Sequence, residues 1–175
     1  MATVLTTTYD STTATTALSI TIVSLATSAT LVTGRQSAVI DNSSNQFVDY
    51  QIMGQITTGT TPTAGTIALY AFSLLSRTAS ANVWPQAGAT ALVTTDAAAT
   101  WDAEQLAGQP LVWSIANNTT SNRAYAINIK SVAALFGGTL PIGFGFYLAH
   151  SSVAALNATA GNHWLHGQGI KFTST

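Results

Sequence analysis

Three histidines near the C-terminal end are the first residues that could carry chemistry. His163 and His166 are three positions apart, a spacing that brings two imidazoles to one metal ion only when the segment is helical. The glycines around this pair disfavour a helix, and a third ligand would have to come from the distant His150 or from one of six acidic residues. We therefore expect turn and surface histidines and no metal site.

Acidic residues offer little more. Glycoside hydrolysis needs two carboxylates across a cleft, and Asp102 and Glu104 are the only close pair. They are better explained as acids at the start of a short helix, where the helix dipole favours negative charge. The chain also lacks a G-x-S-x-G nucleophile motif and a glycine-rich phosphate loop. We expect neither enzymatic activity nor a cofactor.

Two tryptophans could form a binding or subunit contact that needs no catalytic group. Trp84 and Trp101 lie in the irregular middle of the chain, where an exposed ring could stack on a sugar or contact another subunit. The alternative is that each ring plugs the end of the fold. Trp113 alternates with Leu111 and Ile115 and is expected in the core. Trp84 and Trp101 are therefore the predicted exposed aromatic contacts.

Charged residues are scarce along the whole chain. Asp, Glu, Lys and Arg make up 6% of the residues, compared with about 25% in typical soluble domains. The few basic residues are scattered, so no basic stripe could neutralise a nucleic-acid backbone. A surface of Thr, Ser, Asn and Gln tolerates close packing against neighbours. The composition argues against nucleic-acid binding and favours a structural piece of an assembly, held by backbone, hydroxyl and apolar contacts that salt does not weaken.

Other sequence features narrow the class of protein further. The chain has no cysteine, which excludes disulfides and thiolate metal sites. Residues 1–16 contain no Lys or Arg, so we expect no signal peptide. Apolar runs are much shorter than the ~20 residues that cross a bilayer, so we expect no membrane span.

Alternation of apolar and polar residues predicts about eight strands. Their spacing is too short for helical crossovers between parallel strands, which favours an all-β fold: an antiparallel β-sandwich of the jelly-roll type. The nine β-prone segments behind this count, of which 29–33 and 37–40 could form one small hairpin, lie near residues 17–26, 29–33, 37–40, 48–56, 67–75, 111–115, 125–129, 142–148 and 165–172.

Two segments fall outside this pattern. Residues 96–108 are either a short helix with Asp96 as N-cap and Gly108 as C-cap, or a loop that follows a Thr-rich strand at 89–95. Residues 1–16 are too polar to own a core and are predicted as an extended Thr-rich arm, ahead of a single sandwich domain at 17–175. The arm residues expected to take part in assembly are Thr3, Val4, Leu5, Thr6, Thr7, Thr8 and Tyr9.

From about residue 66 onward the order of features resembles that of small structural proteins of tailed bacteriophages. The shared features are a strand like residues 67–72, a Trp-Pro loop, a strand pair, a segment like residues 131–141, an aromatic strand like 143–148 and a small-residue turn like 151–156. The sharpest element is Phe136-Gly137-Gly138 with Pro141. It predicts a tight turn whose glycines take positive φ before the proline fixes the entry to the next strand.

The resemblance implies a virion component made in the host cytoplasm. The first hypothesis is a capsid decoration or cement protein on the outer surface of the head, bound to the major capsid protein or other virion proteins. Such a protein would be a homo-oligomer, for example a trimer, whose arm clamps its neighbours. The alternative is a tail or fibre module that binds a host-surface glycan, for which Trp84 and Trp101 would be the contacts.

Overall fold

Strands make up about half of the residues described by the computed structural model, which are 4–10, 16–75 and 95–174. Three short helices connect some of these strands. The elements in chain order are β1 (Leu5–Tyr9), β2 (Thr16–Ala17), β3 (Thr33–Gln36), β4 (Ile40–Asp41), α1 (Asn42–Asn45), β5 (Asp49–Thr57), β6 (Gly65–Leu74), β7 (Ala97–Thr100), α2 (Ala103–Ala107), β8 (Leu111–Asn117), β9 (Ala124–Ser131), α3 (Val132–Leu135), β10 (Gly143–His150) and β11 (Trp164–Ser174).

The strands form two antiparallel sheets that pack face to face. The first sheet has the order β1-β11-β5-β9, with β2 also paired to β11. The second has the order β7-β3-β10-β6-β8, with β4 also paired to β10. If β1 with β2 and β3 with β4 are each counted as one interrupted strand, eight strands follow the jelly-roll order and β7 is an added edge strand. The prediction of an antiparallel, jelly-roll sandwich is confirmed.

Burial follows the alternation that the sequence shows. On β5 the residues Tyr50, Ile52 and Ile56 point into the core between the sheets, and the residues between them are half-buried. On β10 all eight residues are buried, because Phe144 and Phe146 face the same core and the alternate residues face a second layer. The second sheet is therefore covered on both sides along this strand.

That second layer comes mainly from Ala99, Trp101 and Leu106, in the described part of the chain between β6 and β8. The Trp101 ring lies between Tyr147 and Phe72, with ring centroids 5.5 and 5.8 Å away. Leu106 of α2 joins this cluster. The Tyr147 hydroxyl donates to the Leu31 carbonyl (3.0 Å), which ties the layer to the segment before β3.

The predicted first strand at 17–26 is wrong except at its start. Only Thr16–Ala17 pairs with β11, and the chain then crosses irregularly towards the second sheet. Ile22 is buried in the main core, with Leu18 and Ile20 packed against it. Apolar alternation here reflects packing along the side of the sandwich without strand pairing.

Asp96 does not cap a helix. Its carboxylate accepts from the Arg35 guanidinium and from the Thr21 hydroxyl, and residues 97–100 pair with β3. Burial would raise the pKa of Asp96, but these hydrogen bonds outweigh burial and lower it. The helix in this region starts later, with Asp102 as N-cap and Gly108 as C-cap.

The predicted turn after α3 is present. Gly137 and Gly138 have φ of 79° and 97°, as expected for residues without a Cβ, and the Gly138 N–H donates to the Ala133 carbonyl (2.8 Å). Phe136 is the helix C-cap and packs against the main core. Pro141 stands two positions before the start of β10. Among the described residues, no helix is long and apolar enough to cross a membrane.

Candidate functional site

The outer side of the first sheet is a partly exposed surface built mainly from three strands. Because Tyr50, Ile52 and Ile56 point inward, the residues between them on β5 point outward. The register pairs those residues with β11 and β9, which places alternate residues of the neighbouring strands on the same side. We call this surface the open face: Gln51, Met53, Gln55, Ala126, Ile129, Trp164, His166 and Gln168.

The open face carries no Asp, Glu, Lys or Arg. The single acid of β5 is Asp49, at its first residue, and the Asp49 carboxylate accepts from the Ser131 hydroxyl and the Ala133 N–H, both at 3.0 Å. The basic residue of β11 is Lys171, which forms an ion pair with Asp10 (3.0 Å). Charges of these two strands therefore gather at one end of the sheet, and the exposed Lys130 of β9 is paired with Ile52, which points inward.

Apolar and amide groups alternate over the rest of the face. The side chain of Ile129 is 61% exposed beside Met53, and the two border a small cavity of about 50 Å³ with His166. The Trp164 and His166 rings stack edge to face, with centroids 5.5 Å apart. Such a surface can dock against a partner without desolvating an ion pair.

The N-terminal segment extends this sheet. Residues 5–9, which the sequence predicts to lie in an arm ahead of the sandwich, form the edge strand β1 on β11. The Thr6 and Thr8 hydroxyls reinforce the pairing by bonds to the carbonyls of Thr173 (3.2 Å) and Lys171 (3.3 Å). Thr3 lies outside the described residues.

An apolar strip lies along this edge. Leu5, Thr7 and Tyr9 stand opposite Ser174, Phe172 and Ile170 in the register, so their side chains point to the same side of the sheet. Leu5, Tyr9 and Phe172 are 65%, 50% and 54% exposed. We call Leu5, Thr7, Tyr9 and Phe172 the edge strip.

One end of the sandwich holds a polar cavity of about 590 Å³ between loops. Its hub is Asn157, whose side-chain amide donates to Asn122 Oδ1 (2.8 Å) and accepts from Asn162 Nδ2 (3.0 Å) and the Thr159 N–H (2.8 Å). The walls are therefore made of amide and hydroxyl groups that already bond to one another.

A second cavity of about 320 Å³ opens where the two sheets separate beside β2 and β4. Phe47 and Tyr50 form part of its wall, and burial together with the charge of Asp10 raises the pKa of Tyr50 to about 12. A Cβ on Gly167 would lie 2.2 Å from the Tyr50 ring, and one on Gly169 would lie 2.1 Å from the Phe47 ring. These glycines make room for packed rings.

The predicted exposed tryptophans are not a surface pair. Trp101 is 1% exposed, so the prediction of an exposed contact is wrong for this residue. Its ring closes the outer layer of the second sheet, a position that depends on folding of the chain over β6 and β10. Trp84 lies outside the described residues.

The histidines serve packing and hydrogen bonding. His150 is fully buried, with Nε2 donating to the Leu25 carbonyl (2.8 Å) and Nδ1 beside the Ser152 hydroxyl (2.9 Å). His163 Nδ1 accepts from the Thr57 N–H (3.1 Å), which leaves Nε2 to donate to the Asn157 carbonyl (2.8 Å). Burial lowers the pKa of both residues. Within the described ranges, no group of three His, Asp or Glu residues could hold a metal ion.

Sequence reasoning missed the open face as a site. The alternation of Gln51, Met53 and Gln55 with buried residues was a visible signal for one of its strands. The partners of that strand depend on register, which the sequence alone does not show. Comparison of the chain with protein-family models, curated proteins and solved structures gave no match.

Proposed function

We propose that the protein is a structural component of a bacteriophage particle: a capsid decoration protein that binds the major capsid protein through the open face. The observation that carries this proposal is the open face itself, an extended sheet surface whose apolar and amide side chains are exposed or half-buried and include no Asp, Glu, Lys or Arg. A sheet face of this kind suits permanent contact better than a free surface.

The energetics of such a contact favour assembly. Stable interfaces bury about 800 Å² per partner, and only apolar and paired polar groups repay the loss of water without the cost of stripping ions. Jelly rolls are among the folds that viral capsids use. The resemblance over residues 66–175 to small structural proteins of tailed phages points to the same role.

The experiment is binding of purified protein to heads assembled without it. Ile129→Lys places a charge on the open face beside Met53 and should weaken binding at least tenfold, because the charge must be desolvated. Ser114→Lys adds the same charge at an exposed position on β8 of the other sheet and is the matched control. Wild-type binding should survive about 1 M salt, since screening removes only ionic contacts. Unchanged binding by Ile129→Lys with loss of binding by Ser114→Lys would place the interface elsewhere.

The polar cavity favours a second candidate, a tail or fibre module that binds a host-surface glycan. Its amide and hydroxyl lining could exchange hydrogen bonds with sugar hydroxyls. Asn122→Ala should then abolish adsorption to cells and leave head binding intact. Normal adsorption by this variant, together with loss of head binding in Ile129→Lys, would favour the capsid decoration protein over the tail or fibre module.

A further inference from the structure

The edge strand β1 is paired on one side only among the described strands. In the part of the chain that the structure describes, β1 pairs with β11 and with no other strand. An edge of this kind presents backbone N–H and C=O groups that can pair with another strand.

The direction of those backbone groups follows from the ladder. The Asp10 N–H donates to the Gly169 carbonyl (2.8 Å), which continues the register of β1 on β11. Bonded and non-bonded pairs alternate in an antiparallel ladder, so Thr6 and Thr8 direct their backbone groups towards β11. Leu5, Thr7 and Tyr9 therefore direct three N–H and three C=O groups outward.

The sequence of β1 is complementary to itself. If two copies pair antiparallel about Thr7, each Leu5 stands opposite Tyr9 of the other copy, and Thr6 stands opposite Thr8. The residues that meet in bonded pairs are Leu5, Thr7 and Tyr9, the same three whose backbone groups point outward. Apolar–aromatic and Thr–Thr pairs are both favourable across strands.

The other edge of the same sheet is protected. The edge strand β9 carries Lys130, its pairing with β5 is irregular between Ile52 and Gly54, and Arg123 directly precedes it. Lysines and bulges are the usual means of blocking edge pairing. β1 itself contains no charge, no proline and no register shift, and Asp10, directly after it, forms an ion pair with Lys171.

We propose that β1 pairs with β1 of a second copy across a two-fold axis through Thr7, perpendicular to the sheet. The two first sheets then form one continuous sheet, with six backbone hydrogen bonds across the join. Both open faces lie on the same side, and the two edge strips meet there. The pairing involves only copies of this chain and is independent of the proposed capsid role.

Cysteine substitutions test this register, because the chain has no cysteine of its own. In the proposed pairing the two Thr7 Cα atoms are about 5.5 Å apart, within the range for a disulfide. Thr7→Cys should form a covalent homodimer in mild oxidant. Thr6→Cys and Thr8→Cys should each stay monomeric on a denaturing gel, and a mixture of the two should give heterodimers.

A second measurement avoids cross-linking. Sedimentation equilibrium should show a dimer for the wild type and for Ser114→Lys, and a monomer for Thr7→Lys, with unchanged circular dichroism throughout. A monomeric wild type, or equal cross-linking of all three cysteine variants, would overturn the proposal. Loss of head binding in Ile129→Lys with an intact dimer would separate this proposal from the proposed function.

Discussion

The two sheets of this sandwich share one core but differ on their outer sides. On the second sheet, Trp101 and Leu106 cover Phe72 and Tyr147, so β10 is buried on both faces. The first sheet has no such layer among the described elements, and Ile129 and Phe172 remain exposed there. In the described part of the chain between β6 and β8, residues 97–107 contribute Ala99, Trp101 and Leu106 to the cover of the second sheet.

This difference identifies where a partner can bind. A sheet that the chain covers itself has used its apolar outer face for stability. A sheet that presents Met53, Ile129 and amide side chains on its outer face offers that face to the capsid partner proposed above. The scarcity of charged residues therefore matters most on the open face.

The largest expected effect comes from removing the aromatic ring that covers the second sheet. Trp101→Ala should lower the free energy of unfolding by about 3–5 kcal/mol, because it leaves a large cavity against Phe72 and Tyr147. Phe172→Ala on the first sheet should change it by less than about 0.5 kcal/mol, because the ring is exposed. Chemical denaturation measures both values. Equal losses in the two variants would contradict the proposed difference between the sheets.

A smaller effect on stability is expected when one or two methyl groups are added on the outer side of each sheet. A Cβ on Gly145 would lie 2.3 Å from the Phe72 ring, so Gly145→Ala should cost about 1–3 kcal/mol through overpacking. Ala126→Val enlarges an exposed position of β9 on the open face and should be nearly neutral. Thermal and denaturant unfolding of both variants check this. A neutral Gly145→Ala would mean that the cover over the second sheet yields easily.

A change of pH is the mildest test. Burial lowers the pKa of His150 at the end of β10 and of His163 before β11 below the ordinary value of 6.5. The unfolded chain therefore binds protons that the folded chain does not, and stability should fall as the pH drops below about 6.5.

Variants of the two histidines measure how much each of them contributes to this pH dependence. His150→Asn should remove more of the slope than His163→Asn, because His150 is fully buried and His163 is half-buried. Leu106→Ala, destabilised without loss of a titrating group, should keep the slope. Urea unfolding between about pH 8 and pH 5 measures it, and a slope that survives both histidine variants would assign the dependence to other groups.

Much of the fold could be predicted because it rests on local patterns. The alternation of β5, the continuous apolar run of β6 and the aromatic β10 predict strands at the right places. The glycines after Phe136 predict a turn with positive φ, and the structure has one there. The spacing of strands along the chain was enough to predict an antiparallel jelly roll.

The candidate site was less predictable, because it depends on partners far apart in sequence. The sequence pattern favours Asp96 as a helix N-cap, and only the fold places Arg35, 61 positions earlier, beside its carboxylate. Trp101 is a candidate surface ring in the sequence, and only the fold places it against Tyr147 of β10. The open face needs the register of three strands, and the alternation of one strand shows only a third of it.

The sequence by itself determined that this protein is an all-β sandwich with too little charge for a typical free surface, since strand periodicity and composition are properties of short windows. The tertiary structure alone decided which sheet is covered, which is open, and that residues 5–9 form an edge strand on β11. The reason is physical. Burial and edge pairing are set by contacts between segments up to about 170 positions apart, such as Leu5 opposite Ser174, and no local pattern encodes them.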